Sequence, residues 1–323
     1  MRNLAIICAV AAVLFGVNYV AAETWVTIDV PGAANTYLSG VDGENIVGRY
    51  YNPASGSRYF LYGQGVLTDL TVDGVSFSKI SGNNIVGSTS APAGESQGVI
   101  YDLTTATYDI VSYPGSDTTS ISGMSGDAVV GTYLSASDKS ADPYSIWYYH
   151  GCFYNGSVWA PVNMPGAIYT WPRDIDGDKV VGQYYDADYR GHGFLATIVA
   201  GVMTDFVTLD VSGSEMTNLV GISGDNIIGY YRNGYETQPF VYNNGVVTNI
   251  NYQVGESPDP NSVNVGSPSA SLILGGIDGD SIVGSYQLSS GGVHGFIRTA
   301  PEPATLALLG LGGLAMLRTR RRK

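Results

Sequence analysis

The sequence predicts an all-β protein assembled from one repeated unit, and three observations carry that expectation. The 323 residues include 43 Gly and 24 Tyr with abundant Ser, Thr and Val, a mixture poor in helix formers and rich in turn and strand residues. One short pattern recurs six times, as Gly43-Glu-Asn-Ile-Val-Gly48, Gly82-Asn-Asn-Ile-Val-Gly87, Gly126-Asp-Ala-Val-Val-Gly131, Gly177-Asp-Lys-Val-Val-Gly182, Gly224-Asp-Asn-Ile-Ile-Gly229 and Gly279-Asp-Ser-Ile-Val-Gly284. The last copy stops one strand short, while the first is preceded by one strand too many. Strand-rich repeats at intervals of 39, 44, 51, 47 and 55 residues point to propeller blades. The predicted fold is a six-bladed β-propeller whose N-terminal strand closes the last blade.

Each copy reads as four strands, a to d. In the fifth, Thr217 to Ile222 is strand a, Ser223-Gly224-Asp225 a tight turn, Asn226 to Tyr231 strand b and Pro239 to Tyr242 strand c. Asn243-Asn244-Gly245 is a second turn and Val246 to Ile250 strand d. The first motif glycine is expected to take a positive φ in the a-b hairpin, and the second to let neighbouring backbones approach closely. The orphan segment Trp25-Val-Thr-Ile-Asp-Val30 matches the d strand Phe206-Val-Thr-Leu-Asp-Val211 of the fourth copy, and the match runs on without a gap from Trp25–Tyr50 against Phe206–Tyr231. The sixth copy ends with strand c at Val293 to Arg298. Trp25 to Val30 is therefore expected beside Val293 to Arg298, which removes two exposed sheet edges.

The two ends of the chain are of another kind. Met1-Arg2-Asn3 precedes an apolar run from Leu4 to Val17, and Val20-Ala21-Ala22 supplies small residues before Glu23. Residues 1–22 therefore read as a signal peptide cut between Ala22 and Glu23. At the far end, Pro301-Glu302-Pro303 is followed by an apolar run from Ala304 to Leu317, then Arg318 and Arg320 to Lys323. That order of short motif, apolar segment and basic end resembles the PEP-CTERM sorting tail of exported bacterial proteins. The resemblance implies an exosortase-type sorting machinery as partner, and a cell-surface or extracellular destination. As a helix, 304–317 spans roughly 21 Å against a hydrocarbon core of roughly 30 Å, so it is a short membrane segment suited to transient processing; an ordinary uncut anchor fits the same hydropathy. The expected division is 1–22 signal peptide, 23–300 propeller, and 301–323 sorting segment with a hydrophobic helix.

Charge narrows the partners. All 28 acidic residues lie in 23–302 with only nine of the fifteen Lys and Arg, a net charge of −19 for that stretch. No basic footprint for nucleic acid is present. Cys8 lies in the leader, leaving Cys152 alone in the body and no intramolecular disulfide. The c-turn-d segments Phe60-Leu-Tyr-Gly-Gln-Gly-Val-Leu-Thr-Asp69 and Phe240-Val-Tyr-Asn-Asn-Gly-Val-Val-Thr-Asn249 resemble HAF-type extracellular repeats. The resemblance implies an exported β repeat and no particular activity. His192 and His294 hold that pattern's histidine position before Gly-Phe, with Arg58, Gln97 and Gln238 near it in other copies.

Chemistry is expected on the face that carries the d-a and b-c connections, which lengthen at Leu134 to Pro143 and Gln253 to Pro268. Two residues after the second motif glycine stand Tyr50, Tyr133, Tyr184, Tyr231 and Tyr286, with Thr89 in the second copy. A ring of tyrosines suits stacking on sugars and is the candidate ligand site; packing between blades explains the same residues. Asp174-Ile-Asp176-Gly-Asp178 has part of a calcium-loop spacing, but Lys179 stands where glycine is required, and turn chemistry accounts for it. No metal or other cofactor is expected. His150, His192 and His294 are too scattered for a triad, and no Gly-x-Ser-x-Gly or His-Glu-x-x-His occurs. The expectation is a non-catalytic surface or matrix propeller that binds extracellular polysaccharide or protein. A secreted glycosidase or lyase with a hidden carboxylate pair and a purely structural matrix protein are the alternatives.

Overall fold

Asp-Gly, Ser-Gly and Asn-Gly turns punctuate short runs of β-branched residues, and the computed structural model converts each run into a strand. It describes residues 23–90, 95–135, 149–251, 272–287 and 291–300. Among these there are 24 strands and no helix, and Trp25–Arg298 forms one compact body. Residues 1–22, with the expected signal peptide, residues 301–323 and most of the long connections after Leu134 and Gln253 lie outside the described residues.

The strands fall into six groups of four. Repeat 1 is β2 (Asn35–Asp42), β3 (Asn45–Asn52), β4 (Gly56–Gly63) and β5 (Val66–Asp69). Repeat 2 is β6 (Val75–Ser81), β7 (Asn84–Ser90), β8 (Ser96–Asp102) and β9 (Thr107–Val111), and repeat 3 is β10 (Ser116–Ser125), β11 (Ala128–Ser135), β12 (His150–Tyr154) and β13 (Trp159–Val162). Repeat 4 is β14 (Tyr169–Asp176), β15 (Lys179–Tyr185), β16 (Gly191–Val199) and β17 (Val202–Thr208). Repeat 5 is β18 (Met216–Ser223), β19 (Asn226–Asn233), β20 (Glu236–Asn243) and β21 (Val246–Asn249). The last group is β22 (Leu272–Asp278), β23 (Ser281–Gln287) and β24 (Val293–Thr299), and its fourth strand is β1 (Thr24–Ile28), which pairs with β24. The orphan N-terminal strand thus lies where its likeness to a d strand places it. A single parallel bridge, Asn35 to Val293, joins this group to repeat 1, so the hydrogen-bonded sheets number five, one of them eight-stranded.

The motif glycines divide their work as expected. Gly43, Gly82, Gly126, Gly177, Gly224 and Gly279 all have φ between 54° and 59° in the a-b turns. The second glycine has no room for a side chain: a Cβ at Gly131 would lie 2.0 Å from the Ser120 carbonyl oxygen, and one at Gly48 would also strike the ring of Phe60 at 2.7 Å. That crowding follows from a bulge that every a-b pair carries in the same place, at Leu38/Gly40, Phe77/Lys79, Ile121/Gly123, Pro172/Asp174, Leu219/Gly221 and Leu274/Gly276. The extra residue twists the first strand more sharply than the rest.

A four-stranded repeat cannot bury its own faces, and the apolar side chains show where the burial happens. They form six clusters among the described residues, each drawn from two adjoining repeats. Val283 of the last group, for example, packs with Ile28, Leu38, Val41 and Phe60, so the sixth repeat and the first share a core just as the others do. The first strands touch in succession, β2 with β6, β6 with β10, β10 with β14, β14 with β18, β18 with β22, and β22 again with β2. A buried threonine pins the linker ahead of four of them: Thr36, Thr119, Thr170 and Thr217 accept from the backbone N–H of Val30, Tyr113, Met164 and Val211 at 2.9–3.2 Å.

Candidate functional site

The first strands surround one small cavity of about 130 Å³, lined by residues of all six repeats. At its turn end, the residue before each motif glycine accepts a hydrogen bond from the turn glycine of the next repeat. Gly43 N–H donates to Asp278 Oδ2 at 2.7 Å, Gly82 to Asp42, Gly126 to Ser81 Oγ at 3.3 Å and Gly177 to Ser125 Oγ at 3.0 Å. Gly224 donates to Asp176 Oδ2 at 2.6 Å and Gly279 to Ser223 Oγ at 2.9 Å, which returns the series to its start. Six donors and six acceptors form a complete girdle.

Three residues before each turn glycine, just past the bulge, stand Gly40, Lys79, Gly123, Asp174, Gly221 and Gly276. Four glycines let the strands close in, and the remaining two residues form an ion pair between repeats 2 and 4, with Lys79 Nζ 3.2 Å from Asp174 Oδ2 and both side chains nearly buried. Backbone N–H groups of Ile175 and Ile222 complete the Asp174 carboxylate at 3.1 and 3.3 Å. Burial pushes the Asp174 carboxyl above its usual range, against the opposing pull of Lys79. The acidic turn of repeat 4 is therefore spoken for: Asp174 holds Lys79 and Asp176 holds Gly224. Among the described residues no cluster of His, Cys, Asp or Glu has metal-binding geometry.

At the other end of the same strands lies a larger hollow of about 360 Å³. Its lining is Ser96, Thr118, Ser120, Thr132, Tyr149, Trp171 and Arg173, drawn from repeats 2, 3 and 4. Among the described residues, hydroxyl groups, one indole and one guanidinium make up this surface, with no carboxylate among them. The Arg173 guanidinium carbon sits 5.4 Å from the centroid of the Trp171 ring. Burial lowers the guanidinium from its ordinary value. Sequence reasoning did not single out this group, because Trp171 and Arg173 occupy β14 positions filled by other residue types in the remaining repeats.

The five tyrosines lie further out along each sheet, each against a ring on strand c. Tyr184 stacks on His192 with centroids 5.0 Å apart and Tyr286 on His294 at 5.3 Å, while Tyr133 is tilted 5.3 Å from His150 and stacks on Tyr113 at 3.8 Å. Tyr231 and Tyr50 rest against Phe240 and Phe60 at 6.0 and 6.1 Å. Tyr286 is buried and the other four are half-buried. The histidines carry the column on to carboxylates just past the strands: His192 Nδ1 is 2.6 Å from Asp210 and its Nε2 3.2 Å from Asp186, and His294 Nδ1 is 2.6 Å from Asp29, the residue after β1. Burial opposes the charge of His192, but the two carboxylates outweigh it and raise its pKa. Arg58 reaches Asp69 at 3.4 Å in the equivalent place of repeat 1. Cys152, buried opposite Gly131, has its thiol pushed far up by burial, which makes it a small apolar filler rather than a nucleophile.

Of the remaining expected sites, the signal cleavage point at Ala22 and the sorting residues Pro301, Glu302 and Pro303 lie outside the described residues; Glu23 is the first described. The membrane segment 304–317 also lies outside them, and among the described residues no helix is long and apolar enough to cross a membrane. Residues 299–323 match the PEP-CTERM protein-sorting motif, in agreement with the reading of that tail. No curated protein matches the sequence. Solved structures of similar fold include TolB from Acinetobacter baumannii (12% identical, TM-score 0.45, covering 64% of this chain and 51% of that one). Another is the β-propeller domain of the Trilobed protease from Pyrococcus furiosus (10%, TM-score 0.47, 84% and 85%), described as having an open velcro topology. A third is the Aleuria aurantia lectin, a mutant seen in complex with α-methyl-L-fucoside (13%, TM-score 0.46, 87% and 95%). This chain spans about half the length of TolB.

Proposed function

We propose that this chain is an exported six-bladed β-propeller, closed by its own N-terminal strand and sorted through its C-terminal motif by exosortase-type machinery. Its role in this reading is non-catalytic binding of extracellular polysaccharide. The succession of first strands that returns to β2, the girdle of six turn hydrogen bonds and the pairing of β1 with β24 support the closed ring. The sorting motif supports export, and the likeness of the c-turn-d segments to HAF-type repeats is of the same kind.

The observation that carries the binding role is the lining of the 360 Å³ hollow: hydroxyl groups beside an indole, with no paired carboxylates among the described residues. Sugar hydroxyls need donors and acceptors at close range, and their apolar faces need an aromatic ring. Hydrolysis of a glycosidic bond needs two carboxyl groups facing the bond, and this lining favours recognition instead. Trp171 and Tyr149 are the contacting aromatics in this proposal, and Tyr50, Tyr133, Tyr184, Tyr231 and Tyr286 stiffen the sheets behind them. A glycan array probed with the full-length chain tests the proposal. Binding to a polysaccharide class that Trp171→Ala abolishes is the expected result, and a blank array with folded protein would refute it.

A further inference from the structure

The hollow proposed above as a polysaccharide site carries an imbalance of hydrogen-bonding groups. Trp171 Nε1, Arg173 Nε and Gln183 Nε2 are buried N–H donors with no hydrogen-bond partner. Trp171 and Arg173 line the hollow, whereas Gln183, only 3% exposed, stands opposite Trp171 across β14 and β15 and is not part of the lining. Arg173 lies two residues beyond Trp171, and the ion pairs among the described residues include none with Arg173. Lys79, equally sequestered one layer below, has Asp174 at 3.2 Å.

Burying an N–H without an acceptor, or a cation without a counter-charge, costs free energy that a native fold seldom leaves unrecovered. The two of these donors that belong to lining residues of the hollow, Trp171 Nε1 and Arg173 Nε, both lack acceptors and are complementary to a group made only of acceptors. A carboxylate is that group, and guanidinium is its best planar partner. The hydroxyl groups of Ser96, Thr118, Ser120 and Thr132 then have the rest of a sugar ring to face. Because the stretch around this site is strongly acidic, with a net charge of −19 over residues 23–302, long-range attraction for a polyanion is absent and selection acts on one unit at short range.

We propose that the hollow holds a uronate-type unit of an acidic polysaccharide, its carboxylate on Arg173 and its ring beside Trp171. This rests on the polysaccharide reading of the same site. Trigalacturonate, its fully methyl-esterified form and triglutamate are titrated calorimetrically into the full-length chain. The acid should bind at least about tenfold more tightly than the ester, since a charge-assisted hydrogen bond is worth about that much. Arg173→Gln should erase the preference and Arg173→Lys keep part of it. Equal binding of acid and ester overturns the carboxylate proposal and leaves the polysaccharide reading standing, whereas binding of neither overturns both. Triglutamate binding as tightly as trigalacturonate would assign the site to acidic peptides and end the sugar proposal. Thermal melts monitor the variants, and if Arg173→Gln does not fold, the acid-against-ester comparison on the unaltered chain decides alone.

Discussion

The two ends of the first strands have opposite characters. At the turn end every donor has its acceptor: six glycine N–H groups meet six Asp or Ser oxygens, and the one buried cation of the layer above meets Asp174. At the loop end, Trp171 and Arg173, both lining an open hollow, keep N–H groups without partners. Saturated hydrogen bonding marks a structural seam, and unsaturated hydrogen bonding at a cavity marks a place where something else completes the set. The girdle therefore belongs to stability and the hollow is the place of the proposed recognition, although fold symmetry alone makes the two ends equivalent candidates.

The sharpest way to break this contrast is to unsaturate the saturated end. Lys79→Met leaves the Asp174 carboxylate buried without its cation and should cost about 3–5 kcal/mol of unfolding free energy at neutral pH, read from denaturant curves. Asp174 in that variant loses the pull that holds its pKa down. A folded-state pKa raised above the unfolded value of about 3.9 means that the native state binds the extra proton, so the deficit should shrink on acidification and grow as pH rises through the folded pKa. A deficit independent of pH would show that the pair is not buried as described.

Next in size is Gly87→Ala, which brings a Cβ to 1.8 Å from the Ser76 carbonyl oxygen. About 2–3 kcal/mol of destabilisation is expected, because backbone atoms of the bulged hairpin must part. Asp278→Ala removes one girdle acceptor and leaves Gly43 N–H to solvent, for about 1 kcal/mol. The smallest effect belongs to His192→Gln. With the His192 pKa raised by Asp210 and Asp186, its contribution is fully present below about pH 6.5 and is lost as pH rises through the folded value. Melting curves should therefore separate variant from parent more at about pH 5.5 than at about pH 8.5, by less than about 1 kcal/mol.

Much of the scaffold was legible in the chain. Gly-Asp-Asn-Ile-Ile-Gly and its five relatives fix the a-b turn by positive φ and the a-b approach by lack of a Cβ, two demands that only glycine meets. The likeness of Trp25–Val30 to Phe206–Val211 announces a d strand without its own repeat, and β1 pairs with β24 accordingly. The girdle and the ion-pair layer were also written there, as Asp or Ser before each turn glycine and as Lys79 and Asp174 in a column of glycines. Recognising them requires knowing that these columns converge, which periodicity along one strand does not reveal. The hollow was less legible still: Trp171 and Arg173 break the repeat rather than follow it. The five tyrosines, which do follow it, lie against His192, His294, His150, Phe240 and Phe60. Repetition pointed to scaffold and deviation from it to the candidate site.

Hydrogen exchange of the backbone amides of Thr24–Ile28 tests the closed ring most directly. These residues have no other strand neighbour in the sheet order than β24, 265 positions away at the Asp29–His294 contact, so local structure cannot protect them. The ring account predicts protection equal to that of Val293–Thr299, lost for both segments in one cooperative step as denaturant is added. Exchange of the 24–28 amides at free-chain rates, with 293–299 still protected, would contradict it.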